Sequence, residues 1–191
     1  MTIWIDDDDK RSGAAQDIEA EFVEVKNKDI APIVDALLVG EQPDMVVLDH
    51  ILDKTTSTNP IFSKGSTIAE AVKEKWPNCP VIGVTNADIN GIDLRTQRAY
   101  DGLFAFPNFS YYVNQIKAIR EGFATVNGLA AITPGNMVEL LSPPEDDSKR
   151  LLTALPTDLK KAPPDLGVTS LFYSWVVRLF DRAGFLYDDL W

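Results

Sequence analysis

Four side chains at the ends of apolar runs carry the chemistry that this sequence offers. Ile3-Trp4-Ile5 runs into Asp6-Asp7, Met45-Val46-Val47-Leu48 ends in Asp49, and Val81-Ile82-Gly83-Val84 ends in Thr85. Three carboxylates delivered from two strand ends form an oxygen-only ligand set, which favours magnesium or manganese over zinc. A carboxylate beside such a cation is a nucleophile towards phosphorus, because the metal offsets the repulsion between anions. A hydroxyl on the next strand end is placed to hold a phosphoryl oxygen. Acidic runs such as Asp6–Asp9 are often only solvated loops. Position argues for more here, since parallel α/β sheets gather their functional groups at the carboxyl ends of strands.

The elements that must position these groups follow from the hydrophobic pattern. Short, nearly continuous apolar runs at Ile3–Ile5, Phe22–Val25, Met45–Leu48, Val81–Val84 and Gly102–Phe106 read as strands. Helix-period segments lie between them: Ser12–Ala20, Ile30–Leu38 with Gly40 as its stop, and a helix towards Trp76 opened by a capping box at Thr67–Glu70. After Pro107, a helix from Ser110 places Val113, Ile116, Ile119 and Phe123 on one face. This alternation predicts a parallel sheet covered on both faces, with right-handed crossovers. Beyond Gly122 the character changes. Half of the twelve prolines lie after residue 133, and Ser142–Asp147 reads as a linker. Leu171, Phe172, Trp175, Val176, Leu179 and Phe180 then form a helical stripe, expected to be buried, with Gly184 as its stop. The aromatic end at Leu186–Trp191 suggests that the natural chain continues into a downstream region.

Composition removes whole classes of function. A length of 191 residues suits one domain with an extension, and 45% hydrophobic with 25% charged residues is globular composition. The formal charge of −11 repels phosphate backbones, so no direct nucleic-acid binding is expected. Cys79 is the one cysteine, which excludes an internal disulfide and a cysteine-cluster zinc site; between Asn78 and Pro80 it reads as inert. His50 is the one histidine, which excludes paired-histidine zinc hydrolases, and beside Asp49 it should face the opposite side of its strand as a packed residue. No targeting segment or membrane span is visible, so a cytoplasmic protein with no membrane partner is expected. A haloacid-dehalogenase-type phosphatase needs a second aspartate two residues after its nucleophile, and that position is Ile51. Phosphate-loop, dinucleotide-turn and nucleophile-elbow motifs are absent.

From residue 1 to about 124 the sequence resembles the receiver domains of response regulators. The resemblance is carried by Ile3-Trp4-Ile5-Asp6-Asp7, Pro43-Asp44-Met45-Val46-Val47-Leu48-Asp49, Gly65, Pro80-Val81-Ile82-Gly83-Val84-Thr85 and Gly102–Pro107. It implies a doubly wound, five-stranded parallel sheet of flavodoxin-like type. It further implies Asp6, Asp7 and Asp49 as magnesium ligands with the Ile51 backbone carbonyl, Asp49 as phosphoacceptor, and Thr85 as switch hydroxyl. The implied partner is a histidine kinase or an effector. A homodimer would form through the last strand and its flanking helices, or through the C-terminal helices. No enzyme activity is implied beyond self-phosphorylation and autodephosphorylation at Asp49. Residues 125–191 would be a proline-rich linker and helical extension.

Departures from the family pattern point to a divergent member. Phe106 stands where the family has a lysine that pairs with the phosphoryl group. Leu103, or Phe104 one place on, stands for the aromatic switch residue. Asn86 replaces a small residue, and the loop after Asp49 is long. Lys10, Lys54 and Lys64 are the candidates to supply the missing charge. Together these departures predict a pseudo-receiver: a signalling or scaffold module with weak magnesium binding and weak or no phosphorylation. The alternative is a working phosphoacceptor that takes its phosphoryl group from a histidine kinase.

Overall fold

The computed structural model describes residues 1–52, 64–129, 133–161 and 167–182. Five strands, β1 (Thr2–Asp6), β2 (Ala20–Glu24), β3 (Met45–Asp49), β4 (Val81–Thr85) and β5 (Gly102–Ala105), form one parallel sheet of order β2-β1-β3-β4-β5. Helices α1 (Ser12–Asp17), α2 (Ile30–Val39), α3 (Gly65–Lys75), α4 (Leu94–Gln97) and α5 (Phe109–Asn127) connect and cover it. Four more follow: α6 (Pro134–Leu140), α7 (Glu145–Ala154), α8 (Thr157–Lys161) and α9 (Val168–Arg182). This strand order is the flavodoxin-like form of the doubly wound sheet. Among the described residues no helix is long and apolar enough to cross a membrane.

The central strands β3 and β4 are buried at every residue, which is why their sequences are apolar without alternation. Successive side chains still divide between two layers. Ile5, Val46, Leu48 and Val81 pack beneath α2 and α3 with Tyr100. Trp4, Val47, Ile82, Val84 and Phe104 pack beneath α1 and α5. Asp6 and Asp49 inherit the side of Trp4 and Val47, so both acids emerge at the α1–α5 end of that layer.

The start of α3 is fixed by tertiary contact and not by the expected capping box. The helix opens two residues before Thr67, and its N-cap, Lys64, makes no side-chain capping bond. Instead the Gly65 amide donates to the His50 carbonyl at 3.0 Å, and Ile51 bridges Lys64. A Cβ at position 65 would overlap the Asp49 carbonyl oxygen and press on the Tyr100 hydroxyl. Glycine is therefore what lets α3 lean on the end of β3. The helix between β4 and β5 is a single turn capped by Asp93, whose side chain accepts from the Thr96 amide at 3.0 Å.

The extension packs on α5. Val126 near the end of α5 joins Met137, Val138, Leu155, Leu159, Val168 and Phe172 in a third core. The Thr169 hydroxyl donates to Asn127 Oδ1 at 2.6 Å, and Asn127 Nδ2 donates to the Asn78 carbonyl at 3.0 Å. Midway along α5, Arg120 donates to Thr2 Oγ1, to the Ile18 carbonyl and to Glu19. Of the stripe expected on α9, Phe172, Trp175 and Val176 join this third core, and Leu171 does not. Phe172 is 5% exposed but Leu171 is 41% exposed, because Val168, Phe172 and Val176, four residues apart, form the docking edge. The two prolines at 143–144 are followed directly by α7, so Glu145–Asp147 opens a helix. The side chain of Phe180, the loop 53–63 with Lys54, and Gly184 to the aromatic end lie outside the described residues.

Glycine to alanine inside a helix ordinarily stabilises by roughly 0.4–1 kcal/mol. Gly65→Ala should instead destabilise, by about 1–3 kcal/mol, since the overlap is with backbone. Urea unfolding of the two proteins gives the sign directly.

Candidate functional site

The carboxyl ends of β1, β3 and β4 converge on a cleft of about 210 Å3 lined by Asp7, Asp8, Arg11, Asp49, Ile51, Thr85, Asn86 and Ala87. Asp6, Asp7 and Asp49 are buried, and each offers a ligand oxygen within 4.8 Å of the others. By donor type the set fits a hard divalent cation. Thr85 lies beside them, buried, with its Oγ1 accepting from the Ala87 amide at 3.0 Å. Ile51 reaches the same cleft from the residues after β3, and Asn86 lies exposed on its rim. The sequence-predicted residues are thus brought together.

The residue that organises them was not among those expected. Asp8 caps a 3-10 turn, Asp9–Arg11, and its carbonyl accepts from the Arg11 amide at 3.0 Å. That turn sends the Arg11 side chain back into the cluster. Its Nη1 donates to Asp6 Oδ2 at 2.9 Å and lies 3.0 Å from Asp49 Oδ1. The guanidinium carbon stands 4.6 Å from the centre of the Phe106 ring. Phe106 in turn stacks on Phe109 at 6.0 Å. The Phe106 ring, at the position where the sequence resemblance implied a lysine, is therefore a platform for the Arg11 cation. A planar, weakly hydrated guanidinium suits a buried seat on an aromatic face better than an ammonium does. Lys10 and Lys64, two of the three expected surrogates, are exposed. The signal that was available is a second basic residue, two positions beyond the acidic run.

Other contacts fix the acids. Asp6 Oδ2 also accepts from the Trp4 indole at 3.0 Å, and Asp6 Oδ1 accepts from the Asp8 amide at 2.9 Å. Burial opposes the charge on Arg11, but Asp49 and Asp6 outweigh it and hold its pKa above the ordinary value. The Asp49 carboxyl is pushed up to about 7, first by burial and then by Asp6; Arg11 pulls it down and Asp7 adds a smaller push. His50 lies on the other face of the sheet from Asp49, buried, with Nδ1 3.1 Å from the Tyr100 hydroxyl. Burial, then the charge of Lys64, lowers its pKa. Cys79 is buried, and burial raises its thiol to about 12, so it is inert. On β5, Leu103 packs with Tyr100 against Gly83, while Phe104 is buried on the opposite face against Tyr112.

The raised carboxyl carries a pH dependence. Folded Asp49 keeps a proton that an unfolded aspartate, with its ordinary value of 3.8, has released. Its contribution to stability is complete below about pH 4 and is lost as pH rises through about 7. His50 acts in the opposite sense, losing stability as pH falls below 6.5. The difference between the wild type and Asp49→Asn isolates the first effect. Measured from about pH 4 to about pH 8, the variant should gain on the wild type by at most a few kcal/mol as pH rises. A difference that does not vary with pH would mean that Asp49 titrates normally.

No family model matches this chain, and no curated protein matches it. Solved structures do resemble it. A receiver domain protein from Methanospirillum hungatei JF-1 is 18% identical, covers 65% of this chain and 95% of its own, and superposes with a TM-score of 0.48. The response regulator RcsB of Salmonella typhimurium is 14% identical over 92% of this chain and 97% of its own, with a TM-score of 0.48. NtrX from Brucella abortus is 15% identical over 80% of this chain, which spans 40% of that protein, with a TM-score of 0.49. The all-parallel order β2-β1-β3-β4-β5 gives this chain the flavodoxin-like fold, with an acidic cluster at the ends of β1 and β3.

Proposed function

We propose that the chain is a receiver-like signalling module that regulates or scaffolds a protein partner or an attached effector, with weak or no phosphorylation. The observation that carries this reading is the internal ion pair. Asp49, the residue placed to accept a phosphoryl group, already has an oxygen committed to Arg11. A phosphoryl group on Asp49 adds a charge of about −1.5 to −2 beside two more carboxylates. One guanidinium must then serve all of them, and Phe106 supplies no charge. Magnesium, held by Asp6, Asp7, Asp49 and the Ile51 carbonyl, would polarise the phosphoryl oxygens; its binding is weak because Arg11 occupies two of those acids. Thr85 is the hydroxyl for a phosphoryl oxygen. Turnover of an independent substrate is not part of this function.

Partner contact is assigned to the α4-β5-α5 face, where Leu94 and Tyr111 are 70% and 80% exposed. Self-association would use the same face or the C-terminal helices. Residues 1–124 are the receiver-like module and 125–191 its linker and helical extension. Among the described residues, the two cores around the sheet draw on the extension only through Tyr173. A chain ending at Gly128 should therefore unfold cooperatively, at a lower temperature than the full chain. A broad, non-cooperative melt of the shortened chain would make the extension part of the module.

The alternative, a working phosphoacceptor served by a histidine kinase, draws on the same arginine. Its charge lies 3.0 Å from Asp49 Oδ1, where it can pair with a phosphoryl group in place of the missing lysine. Acetyl phosphate or beryllofluoride with magnesium, followed by intact-mass or fluorine measurement, separates the two. The native protein should carry little adduct, and Phe106→Lys should carry more. Stoichiometric, Asp49-dependent phosphorylation of the native protein, abolished by Arg11→Met, would establish the phosphoacceptor.

A further inference from the structure

Arg11 pairs with two of the three acids in the cluster, Asp6 and Asp49. This inference rests on reading Asp6, Asp7 and Asp49 as donors to a hard cation. A cation bound by all three would draw on the two carboxylates that Arg11 Nη1 already pairs with, through Asp6 Oδ2 at 2.9 Å and Asp49 Oδ1 at 3.0 Å. With the three ligand atoms within 4.8 Å of one another, there is no room for both charges without strong repulsion. A second feature is that the arginine is only partly satisfied where it sits. Its Nε is buried and has no hydrogen-bond partner among the described residues. One nitrogen serves both acids, and the opposite side of the group rests on a ring. The side chain is long, and its backbone sits in a turn held by the Asp8 cap and not by the guanidinium.

We propose that Arg11 is a tethered competitor for the divalent cation, so that its guanidinium and the ion occupy Asp6 and Asp49 in alternation. Loading the ion frees the Phe106 ring from its cation at the entrance to α5. Metal concentration then sets the state of the β5–α5 surface without any phosphoryl transfer. This regulation differs from a plain metal site, in which the ion meets only acids and water.

Manganese binding to the full chain tests the proposal, followed by paramagnetic broadening of the Trp4 indole resonance. That resonance is identified by its loss in Trp4→Phe, and its N–H touches Asp6 Oδ2. Arg11→Met should tighten manganese binding about tenfold or more, as expected when a competing charge is removed from a partly buried site. Asp7→Asn should weaken binding in both backgrounds. In the wild type, saturating magnesium should move the Arg11 Nε–H resonance away from its position over the Phe106 ring. Equal affinities in wild type and Arg11→Met, both reduced by Asp7→Asn, would overturn the competition while leaving the acids as a metal site. Absence of binding in either protein would overturn both readings. An Arg11→Met protein that manganese does not fold would overturn the competition, because an ion able to replace the guanidinium should also rescue its loss. An Arg11 resonance unmoved at magnesium saturation overturns the proposal on the wild type alone.

Discussion

A guanidinium wedged between two buried carboxylates is the constraint on which the rest of this site depends. Bringing Asp6, Asp7 and Asp49 together out of water is costly, and unpaired charges of one sign at such distances would not persist in a folded core. Arg11 lowers that cost at three points: it pairs with Asp6, it pairs with Asp49, and it rests on Phe106. Each neighbour then acquires a reason. The Asp8 cap tightens the turn that aims the side chain. Trp4 satisfies the Asp6 oxygen that Arg11 shares. Phe109 backs the ring on which the cation sits. Losing one partner of a buried pair of this kind typically costs about 3–5 kcal/mol, well above a surface pair.

The sheet explains why the acids meet at all. In a parallel array every strand ends on the same side, so residues far apart in sequence become neighbours at one rim. The pairing of β1 with β3 brings Ile5 level with Leu48, and the acids that follow them stand side by side. The pairing of β3 with β4 sets Asp49 against Val84, one residue before Thr85. Gly65 completes this rim, since any larger residue would push α3 away from the end of β3.

Much of this was legible in the residues. Central strands read as unbroken apolar runs because both faces are covered, and acids ending such runs read as a site because of where the architecture places strand ends. His50 and Cys79 read correctly as packed groups from their neighbours. What escaped was set by tertiary contact. A 3-10 turn has no periodic signature, so nothing in the pattern around Arg11 shows that its side chain reverses onto Asp6. Thr67–Glu70 has the form of a capping box, but the His50 carbonyl claims the Gly65 amide and starts α3 earlier. The short α4 has too few apolar positions for a helical period and owes its form to the Asp93 cap. On α9 the stripe was visible, and Phe172, Trp175 and Val176 pack as it implied; Leu171 at its edge is exposed because only docking distinguishes it from the equally apolar Phe172.

The contacts along α5 limit how that helix can move. At its start, Phe109 lies between Trp4, at 5.0 Å, and Phe106. Midway, Arg120 ties it to the beginning of β1 and the end of α1. At its last turn, Asn127 joins the Asn78 turn to Thr169 of α9. A rod held at three heights has lost its freedom to spin about its own axis, since any turn large enough to matter breaks hydrogen bonds at two levels together. Disturbances at the acid rim are thereby kept local, spent on rings and side chains around Phe106. The extension, packed against the last turn of α5, rides on a helix that acts as a fixed mast.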